Sequence, residues 1–313
     1  MTVAIVTTLR NPPALDSWIR YHLAVGFDHL FLFFDDPDEP LIQHPQVTAI
    51  SHDKELRRKW LKSLAYAKFE YFHHYIDREA MARQILNCDV AIRLALERRI
   101  QWLLHIDADE LFYSPDESVQ DHFQALTEAN VRQVIYPNHE ALPERAEIEN
   151  PFLETTLFKL NRHWQTGGVY SREQIALIKS VPQLAERFFL FYTSGKAAAM
   201  VTEGLLPNGV HRFEGGSMVA TQQVILHYPI CGFEQFWSKY TALGRFADQW
   251  FGQVDIQSVE PFHLEARDIV AAGDRDRARE FYMERVVLDD QQVINRLINA
   301  GALARICLNH LQR

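Results

Sequence analysis

Residues 101–113 read Gln-Trp-Leu-Leu-His-Ile-Asp-Ala-Asp-Glu-Leu-Phe-Tyr. Bulky apolar residues from Trp102 to Ile106 break abruptly into the carboxylates Asp107, Asp109 and Glu110. The run has the length and composition of a buried strand, so the acids sit where that strand leaves its sheet. In open α/β folds the carboxyl-terminal edge of the sheet is where ligands bind. Oxygen ligands two residues apart suit a hard divalent cation such as Mg²⁺ or Mn²⁺. An Asp-x-Asp (DxD) ending therefore predicts a metal that holds a phosphorylated substrate.

Outward from this stretch, strand and helix patterns alternate. Residues 2–8 predict a strand, followed by a turn at Asn11-Pro12-Pro13. Leu15, Trp18, Ile19, His22 and Leu23 recur at helical spacing, with Gly26 placed as the cap. Leu30–Phe34 and Val47–Ile50 predict two more strands, the first running into Asp35-Asp36. Residues 53–75 predict one long helix with Leu56, Trp60, Leu64, Ala67 and Tyr71 on a stripe, and 78–98 a second helix leading into the Asp107 strand. Further strands are expected at 131–136, 155–160 and 197–202, and 262–313 reads as a helical cap. Strands separated by helices imply parallel pairing through right-handed crossovers. The expected fold is α/β, a mostly parallel twisted sheet flanked by helices. Residues 1–240 would form the main domain, with 241–313 a C-terminal helical extension packed on it.

Composition narrows the function classes. The chain has 313 residues, 47% hydrophobic and 23% charged, as ordinary globular proteins do. A net charge of −9 creates no broad positive field, so nucleic acid is not an expected partner. Cys88, Cys231 and Cys307 are scattered and in no metal spacing, and read as reduced, buried thiols. Without a basic leader or an apolar run long enough to span a bilayer, a cytoplasmic location is expected. The common phosphate and metal signatures fail. Phe112 stands where an EF-hand loop needs Gly, and a phosphatase nucleophile would follow the first strand. Gly195-Lys196 lacks the upstream Gly and following Ser/Thr of a P-loop, and no Gly-x-Gly-x-x-Gly follows a strand. Gly215-Gly216-Ser217-Met218-Val219 is no nucleophile elbow, and His73-His74 lacks zinc-protease spacing.

The ordered combination of short motifs is more specific than any one of them. It comprises Thr8-Leu9-Arg10-Asn11, Trp18-Ile19-x-Tyr21-His22, Gly26-Phe27-Asp28-His29 and Phe34-Asp35-Asp36. It continues through Gln84-x-x-x-Cys88, Trp102 to Glu110, Gly195-Lys196 and Gly209-Val210-His211-Arg212-Phe213. His227-Tyr228-Pro229 and Phe233-Glu234-x-Phe236-x-x-Lys239-Tyr240 close it. Together they resemble GT-A glycosyltransferases of the family-2-like and family-92-like group, over roughly residues 2–240. One departure is Asn11-Pro12, where that group usually has Asn-Glu.

The resemblance implies a nucleotide-sugar donor, UDP-linked by family expectation, and a glycan or other hydroxyl acceptor. Thr7, Arg10, Asp35 and Asp36 match the positions that hold base and ribose. Asp107 would lie beside the ribose and the metal (Mn²⁺ or Mg²⁺), with Asp109 the stronger candidate for direct coordination. His211 or His227 would be a further ligand, His211 being preferred because Gly-Val-His matches the metal-side loop. Lys196 would reach a phosphate as a point charge. An inverting transfer needs a general base, for which Glu203, Glu214 and Glu140 are available and Glu203 is slightly preferred; a retaining one would not need the same base. The basic segment 54–62 suggests weak peripheral contact with anionic lipid, against the commoner solvated face. Aromatics at 164–170 and 188–192 could stack on sugar rings or pack in the core. Two other classes stay open: a sugar-nucleotide nucleotidyltransferase, which usually carries a Gly-rich basic loop after its first strand, and a non-catalytic glycan-binding protein.

Overall fold

The computed structural model describes residues 1–165, 168–220, 222–249 and 259–308. The chain forms two compact units, Met1–Asn138 with Ser194–Ile225, and His139–Thr193 with Leu226–Arg313.

In the first unit the order is β1 (Val3–Leu9), α1 (Leu15–Val25), β2 (His29–Phe34), β3 (Val47–Ser51), α2 (Lys54–Leu61), α3 (Leu64–Lys68) and α4 (Phe72–Tyr75). There follow α5 (Ala80–Glu97), β4 (Trp102–His105), β5 (Glu110–Tyr113), α6 (Val119–Glu128) and β6 (Gln133–Tyr136). A seven-stranded sheet runs Met218–Val219, β6, Lys196–Met200, β4, β1, β2, β3. Strands β4, β1, β2 and β3 are mutually parallel, as expected from their helical crossovers. Lys196–Met200 is antiparallel to both neighbours, which makes the sheet mixed. Its register sets Ala197 opposite His105, so Lys196 arrives at the end of β4 that leads into Asp107. The central strands are buried on both faces, which is why they read as continuous apolar runs.

The helix expected over 53–75 is three short helices. Asp53 caps the first by accepting from Glu55 N and Leu56 N at 2.9 and 2.8 Å. Ser63 then accepts from Tyr66 N at 3.2 Å, and the buried Asp89 carboxylate takes Ala65 N at 2.7 Å. Side chains that satisfy backbone N–H groups in this way compete with helix continuation. The apolar stripe survives in part, since Leu56 and Trp60 are buried. Two basic residues of α2 are paired locally, Arg57 with Asp77 and Lys59 with Glu55. No described helix is long and apolar enough to cross a membrane.

In the second unit Leu157–Lys159 pairs antiparallel with Glu140–Ala141 on one side and with Leu303–Arg305 on the other. Helices Phe233–Leu243, Pro261–Ala271 and Arg275–Arg285 share one core of Phe233, Phe236, Tyr240, Phe262, Phe281 and Tyr282. The boundary expected at residue 240 falls inside the first of these helices, and a core drawn from both sides of it leaves no linker there. The tail is not wholly helical. Gly301, at φ 70°, ends helix Gln291–Asn299 and lets Leu303–Arg305 join the strands. The rest of the expected helical cap, 309–313, lies outside the described residues, as do 250–258. Cys88 and Cys231 are buried as expected, but Cys307 is exposed.

Candidate functional site

The chain passes from β1 to β2 and β3 on one side of β1 and returns to β4 on the other. In open α/β sheets ligands bind outside the carboxyl ends of strands where the order reverses in this way. The segments that meet at this edge are the ends of β1, β2 and β4, the Asp107–Glu110 turn, and the loop before Lys196.

Lys196 is the organising group. Its ammonium is fully buried, 2.6 Å from Asp107 Oδ2 and 3.7 Å from Glu110 Oε2, and it donates to Val210 O at 3.2 Å. Burial opposes its charge, but Asp107 and Glu110 outweigh that and raise its pKa. Burial would also push Asp107 up, yet Lys196 holds it well below the usual carboxylate range. Glu110 is fully buried, and burial outweighs Lys196 and raises its pKa well above the ordinary value. Its Oε2 accepts from Asp107 N at 2.7 Å, while Oε1 has no hydrogen-bond partner among the described residues. The carboxylate of Asp107 also accepts from Gln84 Nε2. Lys196, expected to reach a phosphate, here acts as an internal counter-ion of the acids.

The loop before Lys196 requires glycine. Gly195 has φ +71°, and a Cβ there would lie 2.1 Å from Tyr136 O. Its N–H donates to Asn138 Oδ1 at 3.1 Å, and its carbonyl accepts from His211 Nδ1 at 2.9 Å. That bond places the ring proton on Nδ1 and the lone pair on Nε2, the arrangement metal-ligating histidines adopt. Burial, then Lys196, lowers the His211 pKa to about 3, so the ring is neutral at pH 7. Gly195→Ala is expected to cost about 1–2 kcal/mol for the left-handed backbone alone. The overlap with Tyr136 O adds to this, so a urea midpoint within error of wild type would contradict the placement.

Much of the N-terminal segment from Trp18 to Asp28 serves to hold this edge. Trp18 Nε1 donates to Glu110 O at 2.7 Å, Tyr21 Oη to Phe112 O at 2.9 Å, and Phe112 N to His22 Nε2 at 3.2 Å. Nδ1 of His22 then carries the proton and donates to Trp18 O at 2.9 Å. Burial lowers its pKa to about 3 and keeps it neutral. Helix α1 thus clamps the backbone of β5 directly after the acids. Asp28 accepts from Val3 N at 2.8 Å and anchors the start of β1.

Three side chains of α5 were not among the sequence candidates for this site. Arg83 binds Asp35 through two bonds of 2.6 and 2.7 Å, Gln84 reaches Asp107, and Asn87 donates to Thr8 Oγ1 at 2.9 Å. A buried Arg and Asn inside a largely apolar helix was the available signal.

The other candidates fall elsewhere. Thr7 is buried, and its hydroxyl has no hydrogen-bond partner among the described residues. Arg10 is exposed, and Asp36 Oδ1 accepts from Asp38 N at 3.0 Å. Asp109 is half-buried in the acidic turn. Glu203 and Glu214 line a cavity of about 710 Å³ with Asn130, Arg132 and Met200. Met200 pairs with Trp102, the first residue of β4, so this cavity adjoins the opposite end of β4 from Asp107. Glu214 is also bound to Lys68 at 2.6 Å. The structure therefore does not bring Glu203 to the acidic edge.

His227 and Glu140 belong to the second unit. The His227 ring lies 4.9 Å from Tyr192 and 5.6 Å from Phe191. Glu140, fully buried, accepts from Lys159 at 2.7 Å and from Leu190 N and Phe191 N at 2.9 and 2.8 Å, which leaves it no role as a solvent-accessible base. Phe188, half-buried, packs on Tyr170 and Phe189. The Trp164 side chain and residues 166–167 of the other aromatic stretch lie outside the described residues.

As donor types, Asp107, Asp109 and His211 suit a divalent cation. As arranged they form no ligand shell: Asp107 is engaged by Lys196 and Gln84, and no group of three or more His, Cys, Asp or Glu among the described residues is placed to hold a metal.

No protein-family model matches the chain. It is similar to two glycosyltransferase-like proteins of Arabidopsis thaliana, each 28% identical, over 308 and 306 residues and 92% of this chain. The chain spans 58% and 66% of the length of these curated relatives. Among solved structures it matches core-mannan synthase A from Aspergillus fumigatus, Mn/GDP form, at 10% identity over 64% of this chain and 60% of that one. The TM-score is 0.28, too low to carry an argument about fold or chemistry.

Proposed function

We propose that the protein is a glycosyltransferase of GT-A type that moves a sugar from a nucleotide-sugar donor to a glycan or other hydroxyl acceptor. The observation that carries this reading is the convergence of Asp107, Lys196 and the His211 loop at the carboxyl-terminal edge of the sheet, beside the point where strand order reverses. Similarity across most of the chain to two proteins named glycosyltransferase-like supports it. The donor's diphosphate would lie at the Asp107–Asp109 turn and its nucleoside toward Thr7 and Asp35. UDP as carrier and Mn²⁺ or Mg²⁺ as cofactor belong to the proposal. The metal part rests on the donor types of Asp107, Asp109 and His211; it requires Asp109 and His211 to move toward Asp107, whose oxygens each keep a second lone pair beside the bonds from Lys196 and Gln84.

Thermal unfolding with UDP, GDP and CMP, each with and without Mn²⁺, tests the reading. A nucleotide at a hundred times its Kd stabilises by about 2.7 kcal/mol, a shift that is readily measured. The expected result is stabilisation by a nucleoside diphosphate that grows with Mn²⁺ and is lost in Asp109→Ala. No response to any nucleotide sinks the transferase reading. A response that persists in Asp109→Ala removes the metal role of that residue only.

A further inference from the structure

Helix α5 reaches the carboxyl ends of three adjacent parallel strands with side chains on one face. Positions 83 and 87 are one helical turn apart, and 84 and 87 three residues apart, so all three project toward the same side. Arg83 takes both oxygens of Asp35 just beyond β2, and its Nη1 donates to Ile76 O at 3.1 Å. Gln84 donates to Asp107 beyond β4. Asn87 donates to Thr8 at the end of β1, while Trp60 Nε1 fixes its own oxygen at 2.8 Å.

We propose that Arg83, Gln84 and Asn87 are positioning residues that orient Asp35, Asp107 and Thr8 as one unit for nucleotide-diphosphate binding, an inference that rests on the nucleotide-sugar reading. A carboxylate at a strand end has free χ rotation unless a donor fixes it. The planar guanidinium fork fixes both oxygens of Asp35 at little further entropic cost. The geometry also settles an electrostatic problem. A chain of net charge −9 must accept a polyanion, and unpaired acids at the binding edge would repel it. Asp35 is paired with Arg83 and Asp107 with Lys196, so neither acid presents an uncompensated charge. Because one helix sets both acids, a shift of α5 would misalign the nucleoside and diphosphate ends together.

The test compares the full-length wild type with Arg83→Lys and Gln84→Leu, using calorimetric Kd values for UDP and UMP with Mn²⁺, or GDP and GMP if those bind better. Thermal midpoints without nucleotide are recorded alongside. Removing the outer partner of a metal-site side chain typically costs about 10–100-fold in metal affinity or activity, and a loss of that order is expected here for the nucleotide bound with Mn²⁺. Arg83→Lys keeps the charge and loses the fork, so it should weaken mono- and diphosphate alike by about 10-fold, at the low end of that range. Gln84→Leu acts through Asp107 and should weaken the diphosphate by about as much while leaving the monophosphate near its wild-type value. A purely structural role would weaken both ligands in step with a lowered thermal midpoint, and that result overturns the proposal. So does unchanged affinity in both folded variants when the wild type binds. If Arg83→Lys does not fold, the split between ligands in Gln84→Leu decides. A wild type that binds neither nucleotide overturns this proposal and the transferase reading together.

Discussion

Lys196→Met is expected to destabilise the protein by about 3–5 kcal/mol, because it breaks a buried ion pair from one side. The ammonium is fully buried, whereas Asp107 is 30% exposed and Glu110 not at all. Without Lys196, Glu110 stays buried beside a second carboxylate, with Oε1 lacking a hydrogen-bond partner among the described residues even before the change. Glu110→Gln in the same background should therefore recover part of the loss. The effect has a defined pH dependence. Lys196 holds the Asp107 pKa below its unfolded value, so this acid contributes stability above about pH 3.9 that is lost as pH falls toward the folded value. Glu110 has the opposite sign. Its raised pKa makes it favourable at low pH and increasingly costly as pH rises above about 4.3. Both signs make Lys196 matter most near neutrality. Urea unfolding at pH 7 and near pH 3 should give a gap between wild type and variant that narrows in acid. A gap independent of pH would refute the assignment of Lys196 as counter-ion to these acids. Nucleotide-induced stabilisation should also disappear in the variant, because Asp107 and the 210–211 loop lose their common anchor.

Lys159→Met should be as destabilising, again by about 3–5 kcal/mol, with a different functional signature. Lys159 and Glu140 are each 2% exposed at 2.7 Å, and Glu140 also accepts two backbone N–H groups. Burial pushes the Glu140 pKa up, but Lys159 and these amides hold it below its ordinary value. The pair therefore stabilises above the unfolded carboxylate pKa of about 4.3 and loses that contribution as pH falls. Its charges are satisfied within the second unit, so folded Lys159→Met should bind nucleotide with wild-type affinity. Measured Kd values below the unfolding midpoint check this. Loss of nucleotide affinity in folded Lys159→Met, together with its retention in Lys196→Met, would move the binding site away from the Asp107 edge. The two lysines are alike in burial but not in pairing, and nucleotide binding is the readout that separates their roles.

Much of the architecture was legible because periodicity reports which faces are apolar. The runs read as strands at 2–8, 30–34 and 102–106 are buried at nearly every position, as central strands are. The break in 53–75 was not legible in that way. The stripe of Leu56, Trp60, Leu64 and Ala67 continues through it, while the break comes from the hydroxyl of Ser63 and from Asp89, more than twenty positions away. The end of helix 291–299 was marked by Gly301, yet the strand after it depends on a partner at Leu157–Lys159. Composition marks the turn, whereas a strand beyond it forms only where a distant segment offers a ladder to join.

The sequence by itself determined that three acids stand at the end of a buried strand, since an apolar run leading into Asp-x-Asp-Glu admits few other placements. Only the tertiary structure decided which of these groups meet and in what charge state. Asp107 and Lys196 lie 89 positions apart, and Asp35 and Arg83 lie 48 apart. It separated Glu203 from the acidic edge by the length of β4, and it turned Trp18, Tyr21 and His22 from a motif into a clamp on β5. The physical reason is range. Local sequence encodes propensity and the apolar face, whereas hydrogen-bond partners and electrostatic environment depend on segments that only folding brings within about 3 Å of one another.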